Sequence, residues 1–162
     1  IVMYEQEVIQ LVRSETAYMG SIDGNRPRVR PMKPFIDQEG RIWLFSRYDS
    51  HKVAQIEENP RVELCMMGKN QEVLSIYGRL KDDTKPGTPT FRVLRDLMIA
   101  EIPAMKHYFA EGQEDSLLIY RLAVHEIRYT RPDCDLTTRV NLPMEYDPDG
   151  DLAMCQGGFC LM

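Results

Sequence analysis

The sequence predicts an α+β domain in which about six β-strands form a barrel covered by helices. Three observations support this prediction. Six β-favouring runs follow one another with turn residues between them, and three segments carry helical periodicity or helix caps. No internal repeat or linker divides the 162 residues. Many strands in succession with a few helices are typical of a β-barrel with flanking helices.

Three helices are expected. The first lies at the start of the chain, and the second runs from about Ser50 to Asn59, with a serine cap and a following proline. The third opens with Thr88-Pro89, a cap followed by proline at the first helical position. The apolar faces expected to pack are Tyr4, Val8, Leu11 and Val12 in the first helix, and Phe91, Leu94, Leu97 and Met98 in the third.

The expected strands are runs of alternating or continuous apolar residues. A turn cluster, Asp23-Gly24-Asn25, separates the first two strands. The six runs are Ala17–Asp23, Arg28–Ile36, Arg41–Ser46, Val62–Met67, Val73–Leu80 and Leu117–Tyr129.

Composition limits the classes of function. Apolar residues make up 43% and charged residues 28%, as in ordinary globular proteins. A net charge of −5 argues against a general nucleic-acid surface. No apolar run is long enough for a membrane span and no signal-peptide pattern opens the sequence, so we expect a cytoplasmic protein without membrane or nucleic-acid partners.

Residues 131–162 form a polar segment rich in Pro and Asp, which predicts an extended tail after a domain of residues 1–130. The tail contains Cys134, Cys155 and Cys160, whose spacing matches no standard zinc pattern. A metal, iron–sulfur or redox role for them stays open, but a passive tail is favoured and no metal site is predicted.

A cluster of cations is the most informative local feature. Lys52 lies in the first turn of the helix that Ser50 caps, where its charge opposes the helix dipole. Upstream, Arg28, Arg30 and Lys33 crowd one strand, and alternation puts Arg28 and Arg30 on the same face. Helix N-termini bind phosphates through free N–H groups, so a phosphate site is one interpretation. Solvated surface charge is the other, and the residues alone do not separate the two.

Four segments, in this order and spacing, resemble the flavin split barrels. Residues 24–32 (GNRPRVRPM) are similar to the second strand of the general-stress branch, and residues 43–46 (WLFS) to its third strand. Ser50-His51-Lys52 resembles the Ser-x-Lys phosphate motif. Residues 55–62 (QIEENPRV) are close to the helix-to-strand passage of pyridoxamine 5'-phosphate oxidases. The chain therefore resembles the pyridoxamine 5'-phosphate oxidase-like family, with its general-stress and nitroimidazole-reductase relatives.

This resemblance implies a six-stranded antiparallel split β-barrel that pairs as a homodimer, with FMN between the subunits. It assigns the phosphate to Arg30 and Lys52, with Arg28 or Lys33 as helper, although Arg28 and Arg30 could exchange roles. Ser46 and Ser50 would supply hydroxyl contacts. Pro31, Met32 and Phe45 would lie along the flavin ring. His51 could contact the phosphate or the ring, or be an exposed neighbour.

The resemblance also implies an FMN-dependent oxidoreductase acting on a small organic substrate. The alternative is a non-catalytic module that binds a flavin or another phosphate-bearing cofactor, and deazaflavin and haem binders occur in the same family.

True pyridoxamine 5'-phosphate oxidases end in a Trp-Arg-Leu type segment, whereas the one tryptophan here is Trp43. We therefore expect a protein other than an authentic pyridoxamine 5'-phosphate oxidase. No residue is predicted as a catalyst, because the cofactor carries the redox chemistry.

Overall fold

The computed structural model describes residues 4–132 and 137–140. Within these residues the helices are α1 (Glu5–Ser14), α2 (His51–Glu58) and α3 (Pro89–Glu101). The strands are β1 (Ala17–Asp23), β2 (Arg26–Met32), β3 (Phe35–Ile36), β4 (Ile42–Arg47), β5 (Arg61–Met67), β6 (Val73–Thr84), β7 (Leu117–Thr130) and β8 (Thr137–Arg139). Two short 3-10 segments, Pro103–Tyr108 and Glu114–Ser116, connect α3 to β7.

The strands form one curled antiparallel sheet in the order β2-β1-β5-β6-β7-β4-β3, and β8 pairs with the end of β7. Helices flank this open barrel, which confirms the α+β split-barrel prediction. The predicted count of six strands is too low. The run Arg28–Ile36 is interrupted at Lys33 and Pro34 and gives two strands, because Pro34 cannot donate to a ladder and the Lys33 ammonium turns toward α1. The short β8 is polar and carries no strand pattern.

β2 is an edge strand, and its sequence fits that place. Pro27 and Pro31 lie opposite Ile22 and Tyr18 of β1, and an edge tolerates them because their missing N–H groups are not needed by a second neighbour. Its arginines also discourage pairing with another edge. The register places Arg28 opposite Ser21 and Arg30 opposite Met19, so the two arginines share one face, as predicted.

Two apolar clusters lie on opposite faces of the sheet. The larger one fills the barrel and contains Val8, Leu11 and Val12 of α1 with the inward residues of the strands. The second packs α3 against the other face of β4. β4 shows the division directly: Ile42 and Leu44 belong to the first cluster, while Trp43 and Phe45 belong to the second.

The helices begin where their caps predict. Ser50 accepts a hydrogen bond from the backbone N–H of Lys52, and Thr88 accepts one from Phe91. In α3 the packed face is Phe91, Leu94 and Met98, whereas Leu97, predicted to share it, is 54% exposed. The prediction for Leu97 is wrong, because the sheet covers a narrower stripe of α3 than the run of apolar residues along the helix suggests. No helix in the described ranges is both long and apolar enough to span a membrane.

Residues 137–140 return to the barrel. β8 pairs with Arg128–Thr130 at the end of β7, and the next residue, Val140, is 2% exposed within the interior cluster. Part of the segment after residue 130 is therefore built into the core.

Candidate functional site

An open cleft of about 760 Å³ lies where β2, the end of β4 and the start of α2 meet. The sequence brings these elements together through Ile56 of α2, which packs into the interior cluster and holds the helix beside β1. The cleft is lined by Asp23, Arg28, Val29, Arg30, Arg47, Asp49, Ser50, His51, Lys52 and Gln55. It therefore gathers four cations around the N-terminus of one helix.

Arg30 is the partly buried cation of β2. Its guanidinium donates to Ser21 Oγ at 2.9 Å and to Gln55 Oε1 at 3.1 Å, and both acceptors are neutral. Burial lowers the pKa of Arg30, and repulsion from Arg28 lowers it further, while Asp23 opposes the change. Arg30 is thus held in a place that disfavours its own charge.

Lys52 lies at the second position of α2, about one helical turn before Gln55. Its backbone N–H and its Nζ both lie 3.4 Å from Ser50 Oγ. Burial lowers the pKa of Lys52, and the nearby charge of Arg30 lowers it further. His51, the first residue of α2, is exposed at the same helix end.

The remaining cations of the cleft have carboxylate partners. Arg28 Nε lies 3.3 Å from Asp23, and Arg47 makes a two-bond contact with Asp49 at 3.0 and 2.8 Å. Neither Arg30 nor Lys52 has a carboxylate within 4.0 Å in residues 4–132 and 137–140. Counted over its arginines, lysine and aspartates, the lining carries two positive charges in excess, which correspond to Arg30 and Lys52.

The structure brings together five of the ten residues predicted for this site: Arg28, Arg30, Ser50, His51 and Lys52. The other five lie elsewhere. Lys33 Nζ donates to the carbonyls of Val12, Arg13 and Glu15 at 3.2, 2.6 and 3.2 Å, and so caps the end of α1. Burial lowers the pKa of Lys33, although Glu101 and Glu15 oppose the change.

The serine and apolar positions differ in their surroundings. Ser46 is buried, and its hydroxyl donates to the carbonyl of Arg47. Pro31 is exposed and lies opposite Tyr18, on the face of β2 away from Arg30. Met32 shares the face of Arg30 and packs on the interior cluster. Phe45 is buried under α3. The ring of Tyr108 lies edge-on to it, with the two ring centroids 5.3 Å apart.

Residue-by-residue reasoning overlooked the neutral and acidic members of the cleft. Gln55 and Ser21 hold Arg30, while Asp23 and Asp49 pair with its neighbours. A usable signal was present at Gln55, which follows Lys52 by three residues and therefore lies on the same face of α2. The contribution of Ser21 depends on the register of β1 and β2, which a single sequence does not specify.

No three His, Cys, Asp or Glu side chains in the described part of the chain are placed to hold a metal ion. Cys65 is an exposed free thiol. Cys134, Cys155 and Cys160 lie outside the described residues.

An open, curled antiparallel barrel with flanking helices is the architecture of the split-barrel class. The family model described as pyridoxamine 5'-phosphate oxidase matches residues 5–131, which is most of the chain. The protein belongs to this family, and the match confirms the resemblance of the sequence motifs. A comparison with curated proteins finds no match.

Solved structures share the fold at low sequence identity. A NimC/NimA family protein from Clostridium acetobutylicum is similar with a TM-score of 0.69 and 18% identity, over 85% of this chain and 92% of that one. General Stress Protein 26 from Bacillus anthracis is similar with a TM-score of 0.64 and 16% identity, over 85% of this chain and 100% of that one. A third structure is a Clostridium acetobutylicum protein related to general stress protein 26, of the pyridoxinephosphate oxidase family. It is similar with a TM-score of 0.63 and 17% identity, over 84% of this chain and 94% of that one.

Proposed function

We propose that the protein binds FMN through its phosphate in the cleft between β2 and α2. One observation carries the proposal. Arg30 and Lys52 line the same cleft, neither has a carboxylate within 4.0 Å among the described residues, and the charge of Arg30 lowers the pKa of Lys52. Such an arrangement costs free energy unless an anion binds, and the free N–H groups of the α2 N-terminus favour the same ligand.

Arg30 and Lys52 are the principal phosphate ligands in this proposal, and Arg28 is the helper. The order follows from their partners: Arg28 is exposed and paired with Asp23, whereas Arg30 donates to two neutral side chains, Ser21 and Gln55. His51 and the Ser50 hydroxyl stand at the helix end and complete the set. Lys33 and Ser46 are not assigned to the phosphate, because the Lys33 ammonium and the Ser46 hydroxyl donate to backbone carbonyls.

The flavin ring is assigned to the face of β2 that carries Met32. Pro31 lies on the opposite face and Phe45 is covered by Tyr108, so contacts from these two require another surface. A second copy of the chain would supply that surface. The outer face of β2, β1 and β5 supports such a homodimer, because it exposes the apolar side chains of Tyr18, Ile22, Val29 and Met67.

We propose further that the protein is an oxidoreductase for a small organic substrate. FMN supplies the electron transfer when it is bound, while the chain binds and orients it. The substrate is expected to differ from pyridoxamine 5'-phosphate. The one tryptophan, Trp43, is buried under α3 and donates to Asp37, so it does not serve as a substrate contact.

The test is the absorption spectrum and mass of the cofactor that copurifies with the full chain. We expect a flavin spectrum and the mass of FMN, with the flavin lost from Arg30→Ala and Lys52→Ala but retained by Arg92→Ala, an exposed cation on α3. A deazaflavin or haem, or folded variants that keep FMN, would contradict the proposal. Bleaching of the bound flavin by NAD(P)H supports the oxidoreductase, whereas its absence supports the non-catalytic binding module.

A further inference from the structure

Two neutral side chains from different elements hold the Arg30 guanidinium. Ser21 of β1 is 4% exposed and accepts from one terminal nitrogen at 2.9 Å, while Gln55 of α2 accepts from the other at 3.1 Å. A guanidinium has five N–H donors in a fixed planar fork, and these contacts use two of them. The fork is therefore fixed in orientation while most of its donors stay available.

The neighbouring arginines of the cleft have acidic partners instead of neutral ones. Arg28 and Arg47 each contact a carboxylate, Asp23 and Asp49 respectively, which compensates their charge. A carboxylate would bind the guanidinium of Arg30 more strongly than these neutral acceptors do, so the folded chain is less stabilised at this position than it would be with an acidic partner. What they preserve is the full positive charge of Arg30 beside Lys52.

We propose that Ser21 and Gln55 are positioning residues that orient Arg30, and that their neutrality sets the charge of the cleft to match a dianionic phosphomonoester. The inference rests on the proposed function and deepens it by naming what selects the ligand. A phosphomonoester carries about −1.5 to −2 charges at pH 7, close to the two positive charges in excess in the cleft lining. A carboxylate at position 55 would pair with Arg30 and remove half of that excess.

The experiment compares the dissociation constants of FMN and riboflavin, measured by flavin fluorescence quenching on the flavin-free full chain. The two ligands differ in the phosphate, so their affinity ratio reports on the cleft. Gln55→Glu should weaken FMN binding by about ten- to a hundredfold and leave riboflavin unchanged. Gln55→Leu and Ser21→Ala should each weaken FMN binding by about three- to tenfold, as one lost hydrogen bond does.

Two controls separate positioning from general structural damage. Gln10→Glu makes the same chemical change at an exposed position of α1 and should leave both constants unchanged. In an Arg30→Ala background, Gln55→Leu should cost nothing further, because Gln55 acts through Arg30.

The outcomes distinguish this inference from the proposed function. Parent protein that binds FMN no tighter than riboflavin overturns the phosphate site itself. Parent protein that prefers FMN, with Gln55→Glu and Gln55→Leu behaving like the parent, overturns the positioning roles and leaves the phosphate site standing. Gln55→Leu that weakens FMN binding equally with and without Arg30 also overturns them.

Discussion

Lys52 and Arg30 both lie where their surroundings disfavour their charged forms. Lys52 stands in the first turn of α2, where the helix dipole disfavours a cation, and burial and Arg30 lower its pKa further. A phosphate would satisfy both charges together with the free N–H groups of the helix. The position of Lys52 follows from sequence alone, because the serine cap fixes the start of the helix.

Replacing Lys52 with glutamine should therefore have opposite effects on stability and binding. We expect the free energy of unfolding of the flavin-free chain to rise by about 0.3–1 kcal/mol, while FMN binding weakens. Because the pKa of Lys52 is lowered in the folded chain, the destabilisation is present below that pKa and disappears as pH rises toward 10.5. Urea unfolding at several pH values measures the gain, which should shrink with rising pH. A variant that lost stability as well as affinity would make Lys52 a structural residue.

Elements were predictable where local chemistry decides them. The caps at Ser50 and Thr88 specify the starts of α2 and α3, and the bounds of β1 match the prediction. The break after β2 was predictable only in part: Pro34 marks it in the sequence, but the contact of Lys33 with the carbonyl end of α1 forms only across the assembled fold. The same reason applies to Ser21, whose contact with Arg30 exists only once β1 and β2 are paired in this register.

The turn between β3 and β4 depends on one carboxylate. Asp37 accepts from the backbone of Glu39 and Arg41, from the Arg41 side chain and from Trp43 Nε1, at 2.9–3.0 Å. Burial acts to raise the pKa of Asp37, but the hydrogen bonds from Trp43 and Arg41 outweigh it and lower the pKa. The stabilisation is therefore present above about pH 4 and lost as pH falls through the lowered pKa.

Asp37→Ala should lower the free energy of unfolding by about 2–3 kcal/mol at pH 7, because four donors, among them the indole N–H of the buried Trp43, lose a charged acceptor. The difference from the parent should shrink below about pH 4. Urea unfolding at pH 7 and pH 3.5 measures both values. Glu39→Ala is the matched control, since its exposed carboxylate forms an ion pair with Arg41 at the surface, and it should change stability by less than about 0.5 kcal/mol. Equal effects of the two substitutions would contradict this account of the turn.

The β6–β7 ladder contains a second local constraint. The register shifts between Tyr77 and Gly78, and a Cβ at Gly78 would overlap the backbone carbonyl of Ala123. Gly78→Ala should therefore cost about 1–3 kcal/mol in free energy of unfolding. In Gly20→Ala the nearest atom to the new Cβ is the Glu63 carbonyl oxygen at 3.7 Å, so stability should be unchanged or slightly higher. Urea denaturation that ranked the two variants equally would argue against the close approach at Gly78.

At the scale of the whole molecule, the main path of the described strands through the open sheet ends at β2 and at β3, and β2, β1 and β5 expose apolar side chains on their outer face. The strand pattern predicts the architecture, since nearly every strand run and helix cap is visible in the sequence. It does not predict which faces stay uncovered, because Tyr18 and Met67 belong to strands whose alternation fits a barrel with either face buried.

We predict that the exposed face pairs two copies of the chain. Light scattering should give a species of twice 18.8 kDa, and Met67→Lys should shift it toward the single-chain mass by burying a charge in the interface. Val93→Lys is the matched control, because Val93 is equally exposed but lies on α3. A single-chain mass for the FMN-bound parent, or equal effects of the two lysines, would contradict the dimer.

The central claim is that the cleft between β2 and α2 recognises a phosphate, and the affinity ratio of FMN to riboflavin for the unmodified chain tests it most directly. Two charge-assisted contacts, from Arg30 and Lys52, are each worth about 1.5–3 kcal/mol, so FMN should bind at least about a hundredfold tighter than riboflavin. Isothermal titration of the flavin-free protein with each ligand gives the ratio. A value near one would mean that these cations do not bind a phosphate, and would contradict the account.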